Sequence, residues 1–230
     1  MGINHEECHL SLELIILGFG GHARSVAEVA LSAGYEALVF IDENAAFGET
    51  FLDFPVLSTT TPTKTGSYFP AAGDNYRREQ QIAEVRRMQW PLVTLVSPHS
   101  TQGRGLQQGQ ACLFGHHSHV GSMVNMGTAC IINTGAIVEH QSKLGDFCHV
   151  SINATLAGQV VIGSRVFIGA GATIKQGICI ADDVIIGAGA TVVNDIREPG
   201  VYVGVPARRL VKKEGDLNID QKDSFSVEVS

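Results

Sequence analysis

The chain has 230 residues, of which 44% are apolar, enough for one large or two modest globular domains with real cores. A net charge of −7 and a pI near 5.7 argue against nucleic acid or an anionic membrane surface as the main partner. Apolar runs such as Leu14 to Leu17 are far too short to span a bilayer, and the first residues lack the basic and apolar regions of a signal peptide, so a cytoplasmic protein is expected.

In chain order, Leu14 to Leu17 reads as a buried strand and Gly18-Phe-Gly-Gly-His22 as a Gly-rich turn. Ala23 to Ser32 reads as a helix ended by Gly34, and Ala37 to Ile41 as a second strand closing on Asp42 and Glu43. That succession is a βαβ unit and implies a parallel sheet. There follow a weak strand at Val56 and Leu57, a further strand within Ser67 to Ala72, a turn at Gly73-Asp74-Asn75, a helix from about Tyr76 to Met88 and a strand from Leu92 to Val96. Pro98 marks the boundary of this first domain.

From Val120 to Val192 an aliphatic residue or Met then occupies every sixth position without a break, through Met126, Ile132, Val138, Leu144 and Val150 onward. The position two before each hit is small or β-branched, and Gly follows the hit at 121, 127, 145, 163, 169 and 187. One large and one small inward side chain followed by a Gly-tolerant corner describe one side of a triangular parallel β-helix, with 18 residues to the coil. Cys112, Cys130 and Cys148 are one coil apart on an inward column and are expected to be packing residues. The coils before Val120 read as less regular, because Gly103-Arg-Gly105 and Gln107-Gln-Gly-Gln110 interrupt the hexads. The expected division is 1–97, an α/β Rossmann-like domain; 98–205, a left-handed parallel β-helix; and 206–230, a tail with Arg208, Arg209, Lys212 and Lys213 before an acidic, loosely ordered stretch.

In a coil of this length His140, Gly158 and Gln176 share one corner, with successive coils about 4.8 Å apart. A corner imidazole and a corner glycine N–H flanking one carbonyl suit acyl transfer, with His140 as general base and Gly158 as oxyanion donor. The plainer reading is an exposed histidine beside a turn glycine. His149, half a coil further round, is expected to point outward from another face and to meet His140 only across a subunit interface. His116, His117 and His119 form a patch that a zinc enzyme of the γ-carbonic-anhydrase kind would use, although a surface or interface cluster is the simpler account and no metal is expected. Gly18-x-Gly20-x-x-Ala23 after a strand, with Asp42 ending the next strand, matches a nucleotide-binding fingerprint; so short a domain favours a nucleotide or nucleotide sugar over a dinucleotide.

With the segments Gly18-Phe-Gly-Gly-His-Ala23, Ile41-Asp-Glu43, Gly73-Asp-Asn75, Ile132 to His140, Gly145 to Ser151 and Gly204-Val-Pro-Ala-Arg208, the chain resembles the hexapeptide-repeat acyltransferases that N-acetylate a nucleotide-linked amino sugar. The bacillosamine-pathway UDP-4-amino-sugar acetyltransferases typify that family, and sialic-acid O-acetyltransferases are close relatives. The resemblance implies acetyl-CoA as co-substrate, His140 as base, the Gly158 amide at the thioester oxygen, His149 against acetyl-CoA, and the backbones at Ala170 and Ala188 along the pantetheine arm. It places Arg208 near the CoA phosphates. Gly20, Gly21, His22, Asp42, Glu43, Asn75 and Asn133 fall on substrate-side positions for a UDP- or TDP-linked sugar, in a homotrimer with each active site between two β-helices. The chain departs from the family at Gln141, where a carboxylate usually follows the catalytic histidine.

Overall fold

The computed structural model describes residues 13–59 and 66–211; the acidic C-terminal stretch and Lys212 and Lys213 lie outside the described residues. The first domain is a five-stranded sheet with two helices: β1 (Glu13–Leu17), α1 (Gly21–Ser32), β2 (Ala37–Ile41), β3 (Thr50–Phe51), β4 (Phe54–Leu57), β5 (Ser67–Pro70) and α2 (Asn75–Arg87). Strand order is β3-β4-β2-β1-β5, all parallel except the short β3–β4 hairpin. Because β2 lies on one side of β1 and β5 on the other, the chain reverses its winding at β1. A crevice therefore opens beyond the carboxyl ends of β1 and β5.

The remaining strands form a left-handed parallel β-helix with three sheets. One sheet stacks residues 101, 119, 137, 155, 173 and 191; a second stacks 107, 125, 143, 161 and 179; the third runs from Leu95 through Leu113, Ile131, His149, Phe167 and Ile185. Paired residues of successive coils are 18 apart, as Val120 and Val138 are, and each coil bonds to the next, as Gly121 N–H does to Val138 O at 2.8 Å and Gly145 N–H to Ile162 O at 3.0 Å. The predicted inward residues fill the prism, from Val120 through Val192. The first coil keeps this register, so its backbone is regular; it differs in placing Gln102 and Gln108, both exposed, at inward positions where the prism meets water.

The glycines that follow inward residues have a steric cause. A Cβ on Gly121 would lie 2.6 Å from His140 N, one on Gly145 2.6 Å from Ser164 N, and one on Gly169 2.6 Å from Ala188 N. Close approach of the next coil excludes the side chain at these positions. The left-handed residue of each corner comes two places later and tolerates other side chains, among them Met123 (φ 59°), Gln141 (φ 60°) and Gln159 (φ 61°).

The first three outward residues of the third sheet are apolar because the first domain sits on them. Leu95, Leu113 and Ile131 join Leu14, Ile16, Val26, Val29, Phe40 and Phe69 in one core. At the edge of this contact Arg78, on α2, is fully buried, and its hydrogen bonds among the described residues go to no carboxylate. Its Nε donates to Ala129 O at 2.8 Å and its Nη2 to Phe147 O and to Asn75 Oδ1, both at 2.7 Å. Its Nη1 donates to Ala72 O at 3.0 Å and, at 3.3 Å, to Gly73 O and Asp74 O. Burial lowers its pKa to about 10, so the guanidinium stays charged at neutral pH, compensated by carbonyls of both domains. Nearer solvent, Arg165 and Asp183 pair at 2.7 Å, and Tyr76 donates to Asp183 at 2.7 Å.

Arg78→Leu is expected to cost at least about 3 kcal/mol, the scale for opening a buried charged network, read as a lower urea midpoint. Arg78→Lys, with one compact ammonium in place of a planar fork, is expected to recover only part of that loss. A Leu variant within about 0.5 kcal/mol of the parent contradicts the role given to Arg78.

Candidate active site

A cleft of about 490 Å³ occupies the crevice beyond β1 and β5 and is closed on its far side by the β-helix. Its rim is the Gly-rich loop. Gly18 turns with a left-handed φ of 104°, its N–H bonding Ile41 O at 2.7 Å, and Phe19 N–H bonds Asp42 Oδ2 at 2.9 Å. The Asp42 carboxylate therefore shapes the loop as well as lining the cleft. Helix α1 starts at Gly21 with no side-chain cap, and Gly20 and Gly21 have open space where a Cβ would stand. Uncapped N–H groups at an open helix N-terminus suit a phosphate. Gln81 holds both sides of the crevice: its Nε2 donates to Leu17 O at 2.9 Å and its Oε1 accepts from Ala72 N–H at 3.1 Å.

Gly20, Gly21, His22, Asp42 and Asn133 line this cleft together. Glu43 is exposed and is not among its walls. Asn75 is not a wall residue either: its Oδ1 takes the Arg78 bond, and its Nδ2 donates to Arg165 O at 3.0 Å. Both ends of the Asn75 amide thus join the two domains outside the cleft. Arg78 and Gln81 were not singled out from the sequence. The only trace of them there is a polar residue on the sheet-facing side of α2.

His149 does point away from the prism, but it is 5% exposed rather than solvent-facing, because the first domain covers it. Its Nδ1 donates to Gly73 O at 3.1 Å, and its Nε2 accepts from Asn133 Nδ2 at 3.1 Å. The tautomer follows from the carbonyl, which can only accept; Asn133 is fixed in turn by Thr134 N–H at its Oδ1, 2.8 Å away. The His22 ring lies 5.4 Å from the His149 ring, centroid to centroid. Although His22 is only half-buried as a residue, its Nε2 is sealed from solvent and has no hydrogen-bond partner among the described residues. Burial, then the Arg78 charge, pushes the pKa of His22 down to about 4; burial, then His22 and Arg78, holds His149 well below the usual range. Both rings are neutral.

His140 and Gly158 stand one above the other at an exposed corner. A Cβ on Gly158 would lie 2.6 Å from both Cε1 and Nε2 of His140, so the ring occupies the space that the glycine leaves. No hydrogen bond among the described residues takes up the Gly158 N–H. Gln141 Oε1 lies 3.3 Å from His140 Nδ1, whereas the Glu139 carboxylate bonds the His140 backbone N–H at 3.2 Å. Ala170 and Ala188 are exposed at the next corner, joined by Gly189 N–H to Ala170 O at 2.8 Å. Arg208 is exposed on the short strand Arg208–Arg209. Within one chain His140 and the cleft lie on different faces.

Cys148, His116 and His119 are committed elsewhere. Cys148 Sγ donates to Gly163 O at 2.9 Å inside the prism, and burial pushes its thiol up, away from nucleophilic thiolate. His116 pairs with Ser97 and His119 with Thr101, each at 2.7 Å, and among the described residues no group of three His, Cys, Asp or Glu side chains is placed to hold a metal ion.

Because His22 and His149 titrate below their unfolded pKa of 6.5, the unfolded chain binds more protons between pH 6.5 and about 4. Stability is therefore complete above pH 6.5 and falls as the pH drops through that window. Removing one of the two rings, as in His22→Gln, is expected to flatten the dependence by up to about 1.4 kcal/mol per pH unit, measured by urea unfolding at several pH values. An unchanged slope contradicts the neutral pair.

Residues 13–85 match the PglD N-terminal domain, and residues 141–176 and 159–194 match the bacterial transferase hexapeptide (six repeats). A comparison with curated proteins finds no significant match. Among solved structures, the acetyltransferase domain of PglB from Neisseria gonorrhoeae FA1090, in complex with acetyl coenzyme A, is 31% identical with a TM-score of 0.82, the alignment covering 86% of this chain and 98% of that one. A histidine-to-asparagine mutant of perosamine N-acetyltransferase from Caulobacter crescentus, in complex with CoA and GDP-perosamine, is 30% identical with a TM-score of 0.77, covering 87% and 97%. WeeI from Acinetobacter baumannii AYE shares the fold at 23% identity and a TM-score of 0.82, covering 86% and 100%. A crevice with an uncapped helix end, joined to a prism with a histidine stacked on a glycine, thus coincides with two matched domains in one order: the chain belongs to the hexapeptide-repeat sugar acetyltransferases that carry a PglD-type N-terminal domain.

Proposed function

We propose that the chain moves an acetyl group from acetyl-CoA to the C4 amine of a nucleotide-linked amino sugar, by direct attack. The observation that carries this reading is the His140 ring over Gly158, with an uncommitted peptide N–H beneath it. His140 Nε2 takes a proton from the amine as its nitrogen bonds to the thioester carbon. The Gly158 N–H donates to the oxygen that becomes negative. When the tetrahedral intermediate collapses, the carbon–sulfur bond breaks and the imidazolium returns its proton to the CoA sulfur, so no acyl-enzyme forms. Support on the substrate side comes from the PglB structure, which holds acetyl-CoA, and from the perosamine enzyme, which holds CoA and GDP-perosamine.

The nucleotide belongs in the cleft, its phosphates at Gly20 and Gly21, its sugar beside His22, Asn133 and His149. The pantetheine arm lies along the exposed backbone at Ala170 and Ala188, and Arg208 meets the CoA phosphates. Since one chain keeps its cleft and its His140 on separate faces, a second copy must bring its own His140 to the sugar. A cytoplasmic homotrimer with sites between neighbouring prisms meets that requirement.

The test is initial velocity with acetyl-CoA and a panel of UDP-, TDP- and GDP-linked 4-amino sugars set against their 4-hydroxy counterparts. Turnover of an amine, not of a hydroxyl, is expected. His140→Ala is expected to lose at least about 100-fold in kcat with acetyl-CoA binding retained. Gly158→Ala, whose methyl lands 2.6 Å from the ring, is expected to lose at least about tenfold by displacing it. A His140→Ala enzyme within a few-fold of the parent removes the assignment, and preferred turnover of the hydroxyl sugars makes the chain an O-acetyltransferase.

A further inference from the structure

We infer that Gln159 is a positioning residue for the base: it keeps the Gln141 amide turned with its oxygen toward His140, and thereby decides which imidazole nitrogen holds the proton. The inference rests on the acetyl-transfer reading of His140. Gln141 and Gln159 are one coil apart at the same corner, both with left-handed φ near 60°, and Gln159 N–H bonds His140 O at 2.9 Å. Their side chains consequently run side by side. Two donors converge on Gln141 Oε1, His140 Nδ1 at 3.3 Å and Gln159 Nε2 at 3.3 Å. Gln159 is steadied from the coil above, where Gln176 Nε2 reaches Gln159 Oε1 at 3.5 Å.

The direction of this ladder matters because a primary amide has one accepting and one donating end. As arranged, Nδ1 carries the hydrogen and Nε2 keeps its lone pair beside Gly158, where the amine proton is to be received. With the Gln141 amide reversed, an N–H would face Nδ1, the imidazole hydrogen would move to Nε2, and the base would be blocked. Gln159 opposes the reversal, since its own NH₂ would then confront the NH₂ of Gln141. A carboxylate at 141 would need no such partner, because both of its oxygens accept. Gln159 supplies the directionality that glutamine lacks at 141. Glu139 does not substitute for it, its carboxylate being on the His140 backbone N–H.

The experiment pairs a double-mutant cycle with a spectroscopic readout. In the parent background Gln159→Leu is expected to lower kcat roughly five- to tenfold with KM for acetyl-CoA unchanged; in a Gln141→Glu background the same substitution is expected to change kcat less than about twofold. Nitrogen-15 NMR of histidine-labelled protein, with His140 assigned by its loss in His140→Ala, is expected to show the Nδ1–H tautomer in the parent, a mixture in Gln159→Leu, and restoration in the double variant. An equal loss in both backgrounds, or a tautomer indifferent to Gln159, overturns the inference. Failure of the acetyl-transfer reading looks different: His140→Ala keeps its activity, or no amine acceptor turns over, while the tautomer measurement still reports on Gln159.

Discussion

The backbone hydrogen bond from each coil to the next is the constraint on which the rest depends. Gln159 N–H to His140 O and Gly177 N–H to Gly158 O, at 2.9 and 3.0 Å, hold residues of successive coils in register along one corner. Once that ladder exists, a side chain at one level has no choice of neighbour above it. The same closeness removes Cβ atoms where coils nearly touch, and at Gly158 it removes one where a ring lies across the backbone. A histidine needs no special loop to be presented here, because the repeat presents it.

Docking the first domain against this column makes the second half of the site. The sheet face carrying Leu95, Leu113 and Ile131 is covered by α1, and the next outward residue, His149, becomes part of a cleft wall in place of a surface side chain. A buried guanidinium spans the joint and is met by carbonyls on both sides. Burial, with the guanidinium charge as a lesser cause, keeps the two nearby imidazoles neutral, so these two residues offer lone pairs and N–H groups to the cleft instead of cations. The attraction for a phosphate there falls to the helix N-terminus and to Arg77, which also lines the cleft.

Much of this was legible in the residues, for unequal reasons. The inward hexads are a one-dimensional pattern, and every one from Val120 to Val192 is found inside the prism. The strand, Gly-rich turn and helix at the start follow from local chemistry that depends on few distant contacts, and α2 begins one residue from its expected start, at Asn75, behind an Asp74 cap. Less was readable where two surfaces meet. Leu113 and Ile131 stand at outward positions that in the other sheets hold His119, Asn125 or Lys143, and that contrast was the available signal for a covered face. It was overlooked, so His149 was expected in solvent. Arg78 gives no sign beyond its place on the sheet-facing side of α2, since a buried arginine on a charged helix looks like a solvated one until its carbonyl partners are in place. The β3–β4 hairpin at Thr50–Phe51 was also missed, being only two residues to the strand. At the corners the glycines were recognised, but the steric exclusion by the neighbouring coil that requires them is visible only once the coils are stacked.

The most direct measurement of the central claim is a crystal structure of a His140→Asn variant with acetyl-CoA and a nucleotide-linked 4-amino sugar. The account places the thioester oxygen within about 3 Å of the Gly158 nitrogen and the sugar amine at the position vacated by the imidazole. A thioester seated at another corner of the prism, with its oxygen away from Gly158, contradicts it.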